Sequence, residues 1–259
     1  MSDITRLLLD YVGRFAASPP SVVNTYRMTA PSPRSLHSSI LDELGSQIVR
    51  GELAPGTAFS ADERAERSGV SRSVMREAVR VLESLGLVVS RRRAGTRVQP
   101  QELWNALDPR VIAWSLDGPD RQLQLHRLSE LRLGVEPLAA RLAAVNATAL
   151  HRSALVEAVR EMAAEAHSAD QAAYLAADTA FHRTLLAASG NPLLAQLADL
   201  VSEVLAGRTR NALMPREADS EAVRLHRAVA TAVADGDAEA AERAMRAIVE
   251  EADRAVQES

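Results

Sequence analysis

Hydrophobic and polar positions follow a helical period along most of the chain, and the departures fall close together. Leu36, Ile40, Leu44, Ile48 and Val49 recur at helical spacing until Gly51 stops the run. The turn-rich segment GELAPGTAF then leads into ADERAERSG, a short polar helix ended by Gly69. Ser71 is placed to cap a third helix with the apolar stripe Val74, Met75, Ala78, Val79, Leu82 and Leu85, which Gly86 terminates. Only after it does the period change. LVVS, RRRAG and TRV predict two short strands joined by a basic turn containing Gly95. Three helices followed by a β-hairpin make a winged helix-turn-helix over residues 34–99.

From Asp108 onward the pattern is helical again. A short helix in LDPRVIAWSL precedes the breaker DGPD, and long amphipathic segments follow from Gln122 to Val145, Thr148 to His167 and Asp170 to Ala188. Asn191 and Pro192 suit the cap and first position of another helix running to about Leu213. Ser220 to Ala234 and Asp237 to Val256, split at Gly236, complete an antiparallel bundle of six or seven helices over residues 100–259. The predicted fold is therefore mainly α. Residues 1–33 end in a Pro/Ser/Thr-rich stretch without sustained periodicity and read as a flexible leader, with Met28 an alternative start and LLLDYVGRF an alternative docking turn.

Composition narrows the chemistry. With no cysteine, a disulfide framework, a thiolate metal site and a cysteine nucleophile are all excluded. No apolar run approaches the roughly 20 residues of a membrane span, and the expectation is a cytoplasmic protein with no membrane partner. All 30 basic residues are arginine, so their clustering says more than their identity. Between Arg72 and Arg97 stand seven arginines against two acids, Glu77 and Glu83, in a chain of net charge -4. A basic patch on an acidic protein points to a polyanion partner at that patch alone.

On the third helix Arg72, Arg76 and Arg80 fall at i, i+4 and i+8, along one outer edge. Guanidinium can bridge O6 and N7 of guanine, and the second helix of a helix-turn-helix is the one that enters the major groove. Arg72 and Arg76 are candidates for base reading. Arg80 and the wing residues Arg91, Arg92, Arg93 and Arg97 suit phosphate, which adds affinity without sequence information. A solvated helix face remains the competing explanation.

Residues 35–98 resemble the DNA-binding domain of the GntR family of bacterial regulators, through GELAPG, VSRSVMREAVRVLESLGLV and the wing AGTRV. The resemblance implies that Arg72, after the cap Ser71, and Arg76 read guanines, with Gly95 as the wing glycine. One element departs from it. Where the family usually shows S-E-R-E-L-A, this chain has SADERA, so Asp62 replaces a basic residue that often contacts DNA and Arg64 replaces a packing residue. Arg64 can lay its methylenes on the core and keep its head in water, and the operator contact is expected to be weaker or altered.

Residues 103–252 resemble the all-helical effector domain (FCD type) of the FadR subfamily, through LDPRVIAWSL, LSELRLGVEPLAARLAA, AADTAFHRTLLAASGNPLL and LHRAVATAVADGDAEAAERAM. On a helix Asp178 and His182, at i and i+4, share a face and can hold one divalent cation, with His226 as a third ligand. A surface hydrogen bond is the alternative reading. The resemblance implies metal ligands at these positions and a fourth, a histidine three residues after Met245, where this chain has Ile248. Three ligands and an open position still suit a zinc-like ion. Arg132 matches the arginine that faces the effector and would pair with its carboxylate in fork geometry; a salt bridge to Glu130, Glu136 or another helix is the alternative. His37, His126, His151 and His167 have no partner pattern, and Trp104 and Trp114 read as packing residues where head and bundle meet.

These observations predict a transcriptional regulator, not an enzyme: a homodimeric repressor that binds a palindromic double-stranded operator and responds to a small organic acid, a hydroxy acid or sugar acid. A metal-free regulator of a larger ligand such as an acyl thioester is the alternative within the class. A metal-dependent bundle enzyme is disfavoured because no histidine follows a glutamate at the Glu-x-x-His spacing of di-iron bundles.

Overall fold

Three helices and a hairpin do form the head, and a strand that no periodicity announced joins them. The computed structural model describes residues 36–91, 95–165, 171–210 and 221–257. Expectations for the leader, Arg92, Arg93, His167 and the stretch up to Leu213 lie outside those residues. Helix α1 (Leu36–Val49), α2 (Ala61–Arg67) and α3 (Arg72–Ser84) are followed by β2 (Val88–Arg91) and β3 (Gly95–Val98), with β1 (Ala58–Phe59) preceding α2. The strands form one antiparallel sheet in the order β1, β3, β2. A two-residue strand inside GELAPGTAF is too short to show an alternation of its own.

Local chemistry sets the boundaries. The Ser60 hydroxyl accepts from the Glu63 amide at 3.3 Å to cap α2, and Ser71 accepts from Val74 at 3.2 Å to cap α3. Ile48, Met75, Ala78, Leu82 and Leu87 are fully buried in a core that joins α1, α3 and the sheet. Burying each large side chain there contributes about 1.5–3 kcal/mol. Arg64 behaves as its long stem allows: it donates to the Gln47 side chain at 2.9 Å, and its guanidinium lies 5.4 Å from the centre of the Phe59 ring. Gly95 sits at φ +75°, and a β-carbon there would lie 3.1 Å from the Phe59 carbonyl oxygen, so the wing turn itself demands glycine.

Helix α4 (Pro109–Leu116), capped by Asp108, divides its faces between two cores. Val111 and Trp114 pack into the head, while Ile112 and Leu116 pack into the body. Trp114 donates to Asp42 of α1 at 3.2 Å and lies where a β-carbon on residue 45 would stand, so Gly45 is what admits the ring. Trp104 donates to the Gln99 carbonyl at 3.0 Å. Both tryptophans are packing residues, as their sequence context suggests.

The body consists of α5 (Arg121–Asn146), α6 (Ala149–Glu165), α7 (Gln171–Ala188), α8 (Pro192–Ala195), α9 (Ala198–Arg210), α10 (Glu221–Asp235) and α11 (Ala238–Gln257). Asn191 caps α8 through the Leu193 amide at 3.0 Å. The helix expected from Asn191 to about Leu213 breaks after one turn and restarts as α9. Helix α5 buries Ala139, Ala140, Ala143 and Ala144, and it packs on α11; small residues let the backbones approach closely. Helix α9 packs on both α7 and α4, which brings the middle of the bundle to the helix shared with the head. Among the described residues no helix is long and apolar enough to cross a membrane.

Candidate functional site

Two groups of charged side chains are built in opposite ways. On the head, α3 presents Arg72, Arg76 and Arg80 outward, with β2 presenting Arg91, all exposed. Arg72 and Arg91 make no hydrogen bond or ion pair among the described residues. Arg80 pairs with Glu77 at 3.3 Å, and Arg97 donates to the Gly56 carbonyl at 2.9 Å, which ties it to the turn before β1. The Ser71 hydroxyl serves the helix cap and also lies 2.9 Å from Ser73 Oγ. Asp62, Arg76, Arg80, Arg91 and Gly95 share an open groove of about 590 Å³ between α3 and the wing.

In the body, α5, α7 and α10 converge on a buried cluster. Arg132, Glu136, Asp178, His182 and His226 are all buried, and a cavity of about 10 Å³ lies against all of them but Glu136. That is room for about one water molecule. His182 Nε2, His226 Nε2 and Asp178 Oδ1 form a triangle with edges of 3.4, 3.4 and 3.2 Å. Ligands about 2.0–2.1 Å from a tetrahedral ion lie about 3.3 Å apart, so the triangle has the size of one face of such a site. Each imidazole is oriented from behind: His182 Nδ1 lies 2.6 Å from Glu136 Oε2, and His226 Nδ1 lies 2.6 Å from the Ala222 carbonyl oxygen. With each imidazole neutral, as metal binding requires, a Nδ1 proton in each contact leaves both Nε2 lone pairs facing inward. Asp178 Oδ1 is buried and accepts no well-formed hydrogen bond. The three residues therefore fit a zinc-like ion.

Charge in the cluster is finely balanced. Burial alone would raise the Glu136 pKa, but the Arg132 guanidinium and His182 hold it down to about 2. Burial would likewise lower that of His182, yet Glu136 and Asp178 outweigh it and push it up to about 9. Burial would raise the pKa of Asp178, but the two imidazoles that face it, His182 and His226, outweigh burial and keep its carboxyl well below its usual range. Arg132 Nε donates to Glu136 Oε1 at 2.5 Å, and its NH2 to Oε2 at 3.4 Å. Its NH1 is buried without a partner among the described residues. Arg132 thus makes the salt bridge to Glu136 that the sequence offered as an alternative, and it also lines the cavity.

Sequence reasoning missed Arg208, Tyr174 and Glu251, which line the same cavity. Arg208 is buried on α9, and burial followed by the nearby Arg132 charge lowers its pKa. Its signal was visible: Val201, Leu205 and Arg208 share the apolar stripe of that helix. Ile248 lines the cavity too, so the position where the resemblance places a fourth ligand does face the site with a hydrocarbon.

Known proteins match both halves. Residues 36–98 match the model for bacterial regulatory proteins of the gntR family, and residues 127–251 match the FCD domain. The chain is similar to the uncharacterized HTH-type regulator YieP of Escherichia coli K12, at 30% identity over 85% of this chain and 95% of that protein. It is also similar to the galactonate operon transcriptional repressor of Escherichia coli K12, at 32% identity over 85% and 96%. The chain belongs to the GntR family. The solved structure of Lar, which controls expression of the Listeria monocytogenes agr system, shares the fold, with a TM-score of 0.54 at 19% identity over 88% of this chain and 99% of that one. This GntR protein, of the FCD type, is a DNA-binding transcriptional regulator and not an enzyme. Proteins of this type bind DNA operators and take their effector in the FCD domain.

Proposed function

We propose that residues 34–99 bind a palindromic operator as a repressor and that residues 100–259 release it in response to a small carboxylate, a hydroxy acid or sugar acid. Arg72 and Arg76 contact bases, and Ser71, Arg80, Arg91, Arg92, Arg93, Gly95 and Arg97 lie along the phosphates. The observation that carries the effector reading is a single buried cavity bordered by the Asp178, His182 and His226 triangle and by the unpaired NH1 of Arg132. The triangle would hold a divalent, zinc-like ion, which supplies a Lewis acid for a carboxylate or α-hydroxyl oxygen. Arg132 pairs with the carboxylate, Glu136 holds Arg132 and His182 in register, and Arg208 offers a second guanidinium. The galactonate repressor's name supports a sugar acid. A cavity near 10 Å³ counts against an acyl thioester, for which far more lining would have to move.

The small cavity also suggests how the signal arises. A ligand larger than water binds only an opened arrangement, so it selects that arrangement over the closed one. Leu205 and Arg208 border the cavity from α9, and on the same helix Gly207 admits Leu116 of α4 to close contact. Through Trp114, α4 rests on Gly45 and Asp42 of α1. Movement of α9 therefore reaches the head through one short helix. For the homodimer, α5 carries Leu131, Val135, Leu138, Leu142 and Val145 at alternating spacings of four and three, with Leu138 and Val145 45% and 71% exposed. Leu131, Val135 and Leu142 rest half-buried against the chain's own core, which leaves Leu138 and Val145 as the exposed apolar positions for a second copy of the chain.

Metal analysis after dialysis, on the wild type and on His226→Ala, tests the site: about one zinc per chain in the first and little in the second is expected. Equal, negligible metal in both would sink it. A thermal-shift screen against hydroxy acids and sugar acids, with and without zinc, should find a ligand that raises the wild-type melting temperature and not that of Arg132→Met.

A further inference from the structure

The head contains an ion pair that DNA binding by basic residues does not require. Asp62, the second residue of α2, faces Arg76 of α3, and one terminal nitrogen of Arg76 donates to both carboxylate oxygens at 3.2 and 3.3 Å. The two side chains are 43% and 63% exposed, and a pair so open to solvent adds little to folding. A carboxylate beside a DNA-facing arginine also repels phosphate. The pair lies on the groove between α3 and the wing, together with Arg80, Arg91 and Gly95. Arg72, one turn earlier on the same face, has no such partner among the described residues.

We infer that Asp62 determines operator specificity: it fixes the Arg76 guanidinium for one guanine and sets its own carboxylate against the adjoining base, where it accepts from an amino group. The inference rests on the reading that Arg76 contacts a base. The nitrogen held by Asp62 retains a second N–H, and the other guanidinium nitrogens make no hydrogen bond among the described residues, so an edge with two donors stays open to guanine O6 and N7. A fork held before binding loses less freedom when it docks. The carboxylate accepts only. In the major groove cytosine N4 and adenine N6 can donate to it, while guanine and thymine present acceptors and are disfavoured beside it.

The test is selection from duplexes with a randomised core, using the full-length wild type, Asp62→Asn, Asp62→Ala and Arg76→Ala, each first checked by thermal melting. Affinity for one unrelated duplex is measured alongside at fixed salt. Arg76→Ala should lose a guanine preference. Both Asp62 variants should melt like the wild type, weaken that guanine preference about tenfold and bind the unrelated duplex a few-fold tighter; Asp62→Ala should erase the cytosine or adenine preference beside it, whereas Asp62→Asn, whose amide both accepts and donates, should shift that preference toward adenine. Wild-type preferences in the Asp62 variants, or a uniform gain in affinity without any change of preference, would overturn the inference while leaving Arg76 as a base reader. An unchanged profile in Arg76→Ala would overturn the base-reading role itself. If Asp62→Ala melts lower, the isosteric Asn variant decides.

Discussion

Arg72 and Arg132 are the same side chain under opposite conditions. Arg72 stands exposed on α3 with no partner among the described residues, whereas Arg132 is fully buried on α5 and held by Glu136 at 2.5 Å. A guanidinium in water costs the fold nothing and remains available to a polyanion, at the expense of sensitivity to salt. A buried one must be matched, because its desolvation is repaid only by a well-placed carboxylate. The head therefore keeps its charge for a large partner met from solvent. The body holds a small, nearly balanced set of charges, from which one more carboxylate can draw a strong response in low dielectric.

The largest effect should come from breaking the buried balance. Glu136→Ala leaves Arg132 buried without its anion and His182 without its Nδ1 partner, and should cost about 3–5 kcal/mol of stability, read by denaturant unfolding. Replacing the pair together, Arg132→Met with Glu136→Leu, should restore much of that stability while abolishing the response to ligand. If Glu136→Ala proved as mild as removal of an exposed acid such as Glu77, the contrast between head and body would fail.

Next in size is Arg72→Ala. Its folding stability should stay within about 0.5 kcal/mol of the wild type, while binding to a selected duplex weakens by about 1–3 kcal/mol, read by fluorescence anisotropy. A comparable loss on every sequence would make Arg72 a phosphate contact. Arg91→Ala should have a smaller and uniform effect, with the slope of log affinity against log salt falling by about 1. A base-specific loss there would bring the wing into the readout.

The same contrast decides what could be read from sequence. Exposed arginines at i, i+4 and i+8 are legible because helical period alone puts them on one edge, and Ser71 and Gly86 mark the ends of that helix. Asp178 and His182 were legible for the same reason, and His226 could be offered as a third ligand from a later helix, a role the resemblance also implies. Glu136 was visible merely as a partner for Arg132 at i+4; that it also orients His182 from another helix depends on how α5 and α7 pack. Arg208 lies on an apolar stripe, where an arginine breaks the expected polarity, and only the position of α9 turns it toward the cavity. Strand β1 and the break between α8 and α9 come from tertiary pairing and packing, which leave no period in short segments.

A cation on the surface of the body separates exposure from location as the cause of the contrast. His126, near the start of α5, lies 3.1 Å from Asp253 of α11 and 3.8 Å from Glu130 on its own helix. The hydrogen bond and charge of Asp253, opposed by some desolvation and aided by Glu130, raise its pKa above the ordinary value. A histidine raised in the folded state contributes stability that is full below its unfolded pKa of about 6.5 and is lost as pH rises through the folded value. His126→Gln should therefore melt slightly lower than the wild type near pH 5.5 and equally near pH 9, with the small difference shrinking in high salt. If the difference were large, or grew with pH, a charge on the body's surface would behave like Arg132 rather than like the arginines of the head, and location rather than solvent would set the worth of a charge in this fold.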